Sequence, residues 1–211
     1  MLDKVDYDVN EARKCFNFIV GDDSCKAQRV NSINPRDYAD GVYICYNDGH
    51  NELYDGNNPK DDVRGIGLVV GSHSLCVSLE DIDDTTLTNR DGESDYGKYI
   101  SDLDLARMDY DGAENTKHIQ EIGTDIKLAD GGYIPSLGEL YLIYLHKYEI
   151  NEALSYVYGK QIADEWYWSS TEYSAQGAWG LIFGNGYQLN GVKSSSQFRV
   201  RPVSVFIAST L

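Results

Sequence analysis

Residues Tyr167 to Val203 read YWSSTEYSAQGAWGLIFGNGYQLNGVKSSSQFRVRPV. In AWGLIFG, Trp179, Leu181 and Phe183 alternate with Ala178, Gly180 and Ile182. Successive strand side chains point to opposite faces, so this is a strand with one inward and one outward set. FRVRPVSVF alternates again and predicts Phe198, Val200, Val203 and Val205 inward. Gly184, Gly186 and Gly191 mark turns. Between the two strands lie small, polar and aromatic residues that follow no obvious structural need, and their purpose is the question the rest of the chain must answer.

Upstream the period changes. In IPSLGELYLIYLHKYEINEALSYVYG, Ser136 stands three residues before Glu139, the spacing of a capping box, with Pro135 just before it. Leu137, Leu140, Ile143 and Tyr144 then recur at helical spacing. A second helix is predicted from about Asn151 to Tyr158, closed by Gly159. ENTKHIQEIG, 114–123, reads as a short helix with Asn115 as its cap, and the polar, Asp/Gly-rich run 82–114 as a long loop. GVYICYND, 41–48, reads as a strand, and GIGLVVGSHSLCVSLED, 65–81, as two strands around the turn at Gly71, Ser72 and His73. The fold class is therefore α+β, with early strands, two clear helices and a C-terminal antiparallel sheet. Residues 1–40 read as an attachment or oligomerisation segment and 41–211 as the main domain.

The 211 residues carry 34 acidic and 18 basic side chains, a net charge of −16. Such a chain repels phosphate backbones, so neither nucleic acid nor an anionic membrane surface is an expected partner. The acids concentrate before residue 130, which leaves the quoted stretch close to neutral, and depletion of charge is one mark of a contact surface. Tyrosine, at 17, far outnumbers phenylalanine, at 5. A tyrosine ring offers flat contact area with a polar tip and few rotatable bonds, which suits recognition, although it also packs half-buried in strands. No run is long enough for a membrane span. MLDKVDYDVNEARKCFNFIVGDD has no apolar signal-peptide core, so either no secretory leader is expected or one has been removed. Cys15, Cys25, Cys45 and Cys76 form no CxxC pair; buried free thiols are expected rather than zinc ligands.

Signs of catalysis are sparse. His50, His73, His118 and His146 form no HExxH or H-x-H pair. Ser169 and Ser170 lack the G-x-S-x-G context of a nucleophile elbow, and GLIFGNG has the wrong spacing for a phosphate loop. DYDGAEN, 109–115, alternates oxygen-bearing residues as a calcium loop does, but a tight Asp-Gly turn accounts for it. No cofactor and no metal site are expected.

Three segments in order, ARMDYDGAENTKHI, then GGYIPSLGELYLIY with INEAL, then YWSSTEYS, AWGLIFGNG and FRVRPVSVF, resemble the DUF1566-type C-type-lectin-like domains of gut bacteria and their phages. The likeness spans about residues 65–206; Gly132-Tyr133 departs from the family's usual Trp-Tyr. The resemblance implies a C-type lectin-like fold and kinship with variable proteins of diversity-generating retroelements, whose exposed C-terminal positions change by miscopied adenines. On that basis Trp168, Ser169, Ser170, Thr171, Trp179, Phe183, Arg201 and Pro202 would be scaffold. Tyr173, Gly180, Ile182, Tyr187, Leu189, Asn190, Val192, Ser194, Ser195 and Ser196 would be the displayed ligand-binding surface, with any exposed edge of Trp179 adding to it. The calcium-dependent sugar motifs of lectins are absent, and no cysteine follows Cys76 to support formylglycine-generating chemistry.

The expected function is therefore a non-enzymatic ligand- or receptor-binding protein, placed on a phage virion surface and acting in adhesion and host attachment. Its expected partners are a protein or glycan receptor on a cell surface, other virion proteins, or copies of itself in a homo-oligomer. The alternatives are a secreted or lipid-anchored bacterial surface adhesin, a structural virion protein, and a glycan-active enzyme using acids such as Asp109 or Asp111.

Overall fold

The computed structural model describes residues 38–90 and 98–206. Every described residue belongs to one unit, Asn34–Leu211. The expected attachment segment lies outside the described residues except for its last three, as do Cys15 and Cys25.

In chain order the strands are β1 (Gly41–Tyr46), β2 (Asn51–Leu53), β3 (Val63–Val70), β4 (His73–Ser78), β5 (Ile82–Thr85), β6 (Gly132–Tyr133), β7 (Trp166–Glu172), β8 (Gly177–Ile182), β9 (Gln188–Val192), β10 (Phe198–Val200) and β11 (Val203–Ser204). The helices are α1 (Leu103–Ala106), α2 (Gly112–Ile122), α3 (Leu137–Leu145) and α4 (Lys147–Tyr156). The described part is mixed α+β, mostly sheet with a few short helices. One sheet runs β2-β1-β3-β4-β11-β6 and is antiparallel throughout; the other runs β5-β10-β7-β8-β9.

The β-branched and aromatic runs 41–46 and 63–78 form the antiparallel ladder predicted for them, turning at Gly71 and Ser72. Gly71 has φ +58°, and its N–H donates to Asp40 Oδ1. The capping box is present: the Ser136 side chain accepts from the Glu139 N–H, and Glu139 Oε2 accepts from the Ser136 N–H. The apolar stripe of α3 and α4 (Leu137, Leu140, Ile150, Leu154) packs between the two sheets against Ile44, Ile66, Leu68, Tyr167, Leu181 and Phe183. A second apolar cluster lies across the β7–β8 ladder, where Trp168, Ala178 and Val200 meet Ile119 of α2, Leu87 and Ile134. The second sheet is thus buried on both faces over part of its length.

Several expectations are corrected. The run 82–114 is not one loop: β5 and α1 form within it, and α2 starts before its end. Asn115 does not cap α2; Asp111 holds that position, and Asn115 is buried inside the helix. The last helix begins at Lys147 and ends at Tyr156, because His146 ends α3 and opens α4 with no break between them. Among the described residues there are four helices: those read at 114–123, after Ser136 and near Asn151, with shifted bounds, and α1 in addition. The C-terminal sheet is not wholly antiparallel, since β10 pairs with β7 in parallel. Val205 points outward and is 60% exposed, because β11 stops at Ser204; Phe206 instead packs edge-on against Tyr38 and Tyr43. Cys45 and Cys76 are buried free thiols, and burial pushes the Cys45 thiol up.

Candidate functional site

The quoted motifs meet in one buried network. Asp109 Oδ2 accepts from Thr171 Oγ1 at 2.7 Å and from Asn115 Nδ2 at 2.8 Å, and its other oxygen accepts from the Asp111 N–H at 3.1 Å. Thr171 Oγ1 accepts in turn from the Leu137 N–H at the start of α3. Ser136 Oγ donates to the Asp109 carbonyl, and Tyr133 donates its hydroxyl hydrogen to Glu139 Oε1. Asp109, Asn115, Ser136, Glu139 and Thr171 are all buried. These contacts lock α2, α3 and β7 together, and their chemistry is that of a brace. The Asp111 side chain lies outside it, exposed and paired with Lys98.

Burial, the largest influence, raises the Glu139 pKa above its ordinary 4.5, against the lowering effect of its hydrogen bonds. A carboxyl whose folded value is raised contributes stability fully below its unfolded value and loses that contribution as pH climbs through the folded one. The stability of the parent relative to Glu139→Gln should therefore decline as pH is raised from 4.5 through that higher value, as read by urea unfolding at successive pH values.

Beside the brace, one face of the second sheet opens to solvent. The register pairs Gly180 with Leu189 and Ala178 with Gly191, and Ile182 donates its N–H to the Tyr187 carbonyl. Paired residues share a face, so Ile182, Tyr187 and Leu189 stand on one side, together with Trp166, Trp168 and Phe198 of the adjoining strands. Near α2 this face is covered. Toward the β8–β9 hairpin it is not: Tyr187 is 61% exposed, and Trp166, Ile182, Leu189 and Phe198 are half-buried. The rings form a connected group. Trp166 stacks on Phe198 at 5.3 Å between centroids and meets Tyr187 edge-on at 6.3 Å; Phe198 lies 4.3 Å from buried Trp168.

Two glycines form the floor of this shelf. A Cβ on Gly180 would stand 2.9 Å from the Phe198 ring, and one on Gly191 would stand 2.8 Å from Trp168 and 3.0 Å from Phe198. Gly180→Val should displace Phe198 and cost about 1–3 kcal/mol, measured by urea unfolding.

The ten predicted contact residues do not form one patch. Gly180 is buried beneath Phe198 and displays nothing, which corrects that assignment. Ile182, Tyr187 and Leu189 lie on the shelf. Asn190 pairs with Trp179 and Val192 with Gly177, so these two share the opposite face, where both are exposed. Ser194, Ser195 and Ser196 sit in the β9–β10 connection; Ser195 is exposed, and Ser196 Oγ accepts from the Val192 N–H. Tyr173 lies in the β7–β8 turn, half-buried and edge-on to Trp179 at 5.2 Å. Trp179 has no exposed edge to add: it is 6% exposed, and its ring N–H donates to the Ile100 carbonyl. The residues assigned to scaffold, Trp168, Ser169, Ser170, Thr171, Trp179, Phe183 and Arg201, are buried, and Pro202 is half-buried.

Trp166 and Phe198 were not among the predicted contact residues. Two glycines opposite each other's neighbours on adjoining strands carried the signal, since strand glycines admit a bulky ring from the side. Lys193, in the middle of the display segment, is fully buried and ion-paired with Glu172.

Among the described residues, no group of three or more His, Cys, Asp or Glu could hold a metal ion, and no helix is long and apolar enough to cross a membrane. No family model matches the chain, and no curated protein matches it. Among solved structures, a fimbrial protein from Bacteroides ovatus ATCC 8483 is similar over 80% of this chain and 49% of that one, with a TM-score of 0.48 and 17% identity. The chain thus corresponds to about half the length of that protein.

Proposed function

We propose that this chain is a non-enzymatic binding protein that presents the open end of its second sheet to a receptor on a cell surface. The observation that carries this reading is the shelf of Trp166, Ile182, Tyr187, Leu189 and Phe198. Aromatic and aliphatic side chains stand together at the solvent boundary there, on a floor of glycines and beside a fully hydrogen-bonded brace. Rigid, preorganised aromatic groups are the usual energetic anchors of recognition, because they bury large areas at little entropic cost. Asn190 and Val192 on the opposite face of the hairpin, and Ser195 in the β9–β10 connection, are small or neutral and exposed, positions that can vary without disturbing the scaffold.

In this reading the scaffold is C-type lectin-like, and the chain serves in adhesion or host attachment, on a phage virion or alternatively on a bacterial surface. The motif resemblance supports that assignment. A single shelf of this size binds weakly, so several copies on one particle or oligomer would supply avidity.

The test has a genetic and a physical arm. A near-copy of the DNA coding residues 168–203, differing at adenines and lying beside a reverse transcriptase gene, is the expected genomic context for a diversified surface. In the protein, single substitutions at Tyr187, Asn190, Val192 and Ser195 should each change unfolding free energy by no more than about 0.5 kcal/mol, as exposed positions do. Losses at these positions as large as that of Trp168→Ala, about 3–5 kcal/mol for a buried aromatic, would rule out a display role for them.

A further inference from the structure

A groove of about 820 Å³ opens on the other side of the β8–β9 hairpin, away from the shelf. Its walls are the junction of α3 and α4 on one side and the hairpin tip on the other. Tyr144 holds the tip in place: a Cβ on Gly186 would fall 2.4 Å from the Tyr144 ring, so the turn lies directly on it. Tyr144 also meets Phe183 edge-on at 6.0 Å. At the mouth, Tyr148 is 80% exposed and Leu145 55% exposed, two large apolar side chains left in water beside the cavity.

The one cation of the lining is paired, and with Asp164 and Glu152 beside it the groove is net negative. Lys147 pairs with Asp164 and also donates to the Phe183 carbonyl. The lining therefore offers no unpaired cation to a phosphate, sulfate or carboxylate, and the chain's charge of −16 repels such groups at longer range. The remaining polar lining is closely spaced and capable of both donating and accepting. Gln161 Nε2 donates to Ser155 Oγ at 2.6 Å, which leaves the Gln161 carbonyl oxygen and the Ser155 hydroxyl hydrogen for a ligand. Glu152, exposed on the same face, adds acceptors, and the Tyr148 hydroxyl can do both.

Flat tyrosine faces bordered by uncharged donors and acceptors and by the Glu152 carboxylate, which accepts from hydroxyls, match a molecule with apolar ring faces and equatorial hydroxyls. The volume falls in the range of small-molecule clefts. We infer that this groove binds a short neutral oligosaccharide, with Tyr148 stacking on a sugar ring. An extended peptide is the poorer fit, since Leu145 is the only aliphatic side chain lining the groove. The inference concerns a surface separate from the shelf and does not depend on it.

The full chain, titrated by calorimetry with maltotriose, cellotriose, mannotriose and chitotriose, should bind at least one of them saturably. Tyr148→Ala should weaken that binding about tenfold or more, a loss typical of an aromatic anchor, with an unchanged melting temperature because the side chain is in solvent. Tyr187→Ala, on the shelf, should leave it unchanged. A sialylated trisaccharide should not compete. Saturable binding of none of the four neutral sugars, or equal binding by Tyr148→Ala, would overturn the inference. So would a loss caused by Tyr187→Ala and not by Tyr148→Ala, which would assign the sugar to the shelf.

Discussion

Asp109→Ala should cost about 3–5 kcal/mol of unfolding free energy, a large share of the ~5–15 kcal/mol that holds a typical domain together. Asp109 is 6% exposed, and its carboxylate accepts hydrogen bonds from Thr171, Asn115 and the Asp111 backbone. Alanine removes all three acceptor contacts and puts no water in their place. The Thr171 hydroxyl and Asn115 amide are left as buried donors, each costing about 1–3 kcal/mol. The damage spreads, because Thr171 also receives the Leu137 N–H at the start of α3. Asp109→Asn keeps the shape but exchanges one acceptor for a donor facing other donors, so it should lose about 1–3 kcal/mol. Urea unfolding of both variants measures this. The same pair bears on the glycan-active alternative: a catalytic acid at this position would predict an Asp109→Asn protein as stable as the parent and devoid of hydrolysis.

Arg201→Met should be comparably damaging, at about 3–5 kcal/mol, because it strands a charge. Arg201 and the Asp81 side chain are both fully buried, with Arg201 Nε 2.7 Å from Asp81 Oδ1. Arg201 also donates to the carbonyls of Ser78 and Lys160. Asp81 accepts from the Tyr167 hydroxyl, and burial beside that carboxylate pushes the Tyr167 pKa up to about 12. Arg199 and Lys160 stand 3.6 and 3.8 Å from Asp81 and soften the loss without replacing the closer Arg201 contact. The double variant Asp81→Asn with Arg201→Met should recover part of the stability, since neither charge is then left alone. A double-mutant cycle by urea unfolding gives the coupling directly.

These two clusters show where sequence reading reaches and where it stops. The capping box of α3 and the alternation of β8 depend on residues within a few positions of each other, and both were legible. The Asp109–Thr171 contact joins residues 62 apart, so DYDGAEN looked like a turn or a calcium loop and not one half of a brace. Asn115 was read as a cap because asparagine suits that position; its true partner, Asp109, precedes the helix and competes for it. β5 was hidden because its Asp83 and Asp84 break the apolar alternation, and Lys160 and Arg199 satisfy them from elsewhere in the chain.

The display surface was legible only in part for the same reason. Alternation placed Gly180 and Ile182 on one face, which is correct, but cannot reveal that the Phe198 ring from β10 lies over Gly180. Asn190 and Val192 were grouped with Leu189 by proximity in sequence, although period two puts them on the opposite side. Exposure at single positions could be anticipated; which of them share a surface depended on register.

The central claim is that the shelf grips another molecule while the protein beneath it remains rigid. Flow cytometry of the fluorescently labelled chain on a panel of bacterial cells tests it most directly, with the parent beside a variant carrying Trp166→Ser, Tyr187→Ser and Leu189→Ser. The account predicts that the parent stains at least one strain and that the variant, still folded by circular dichroism, stains none. Equal staining by parent and folded variant would contradict it.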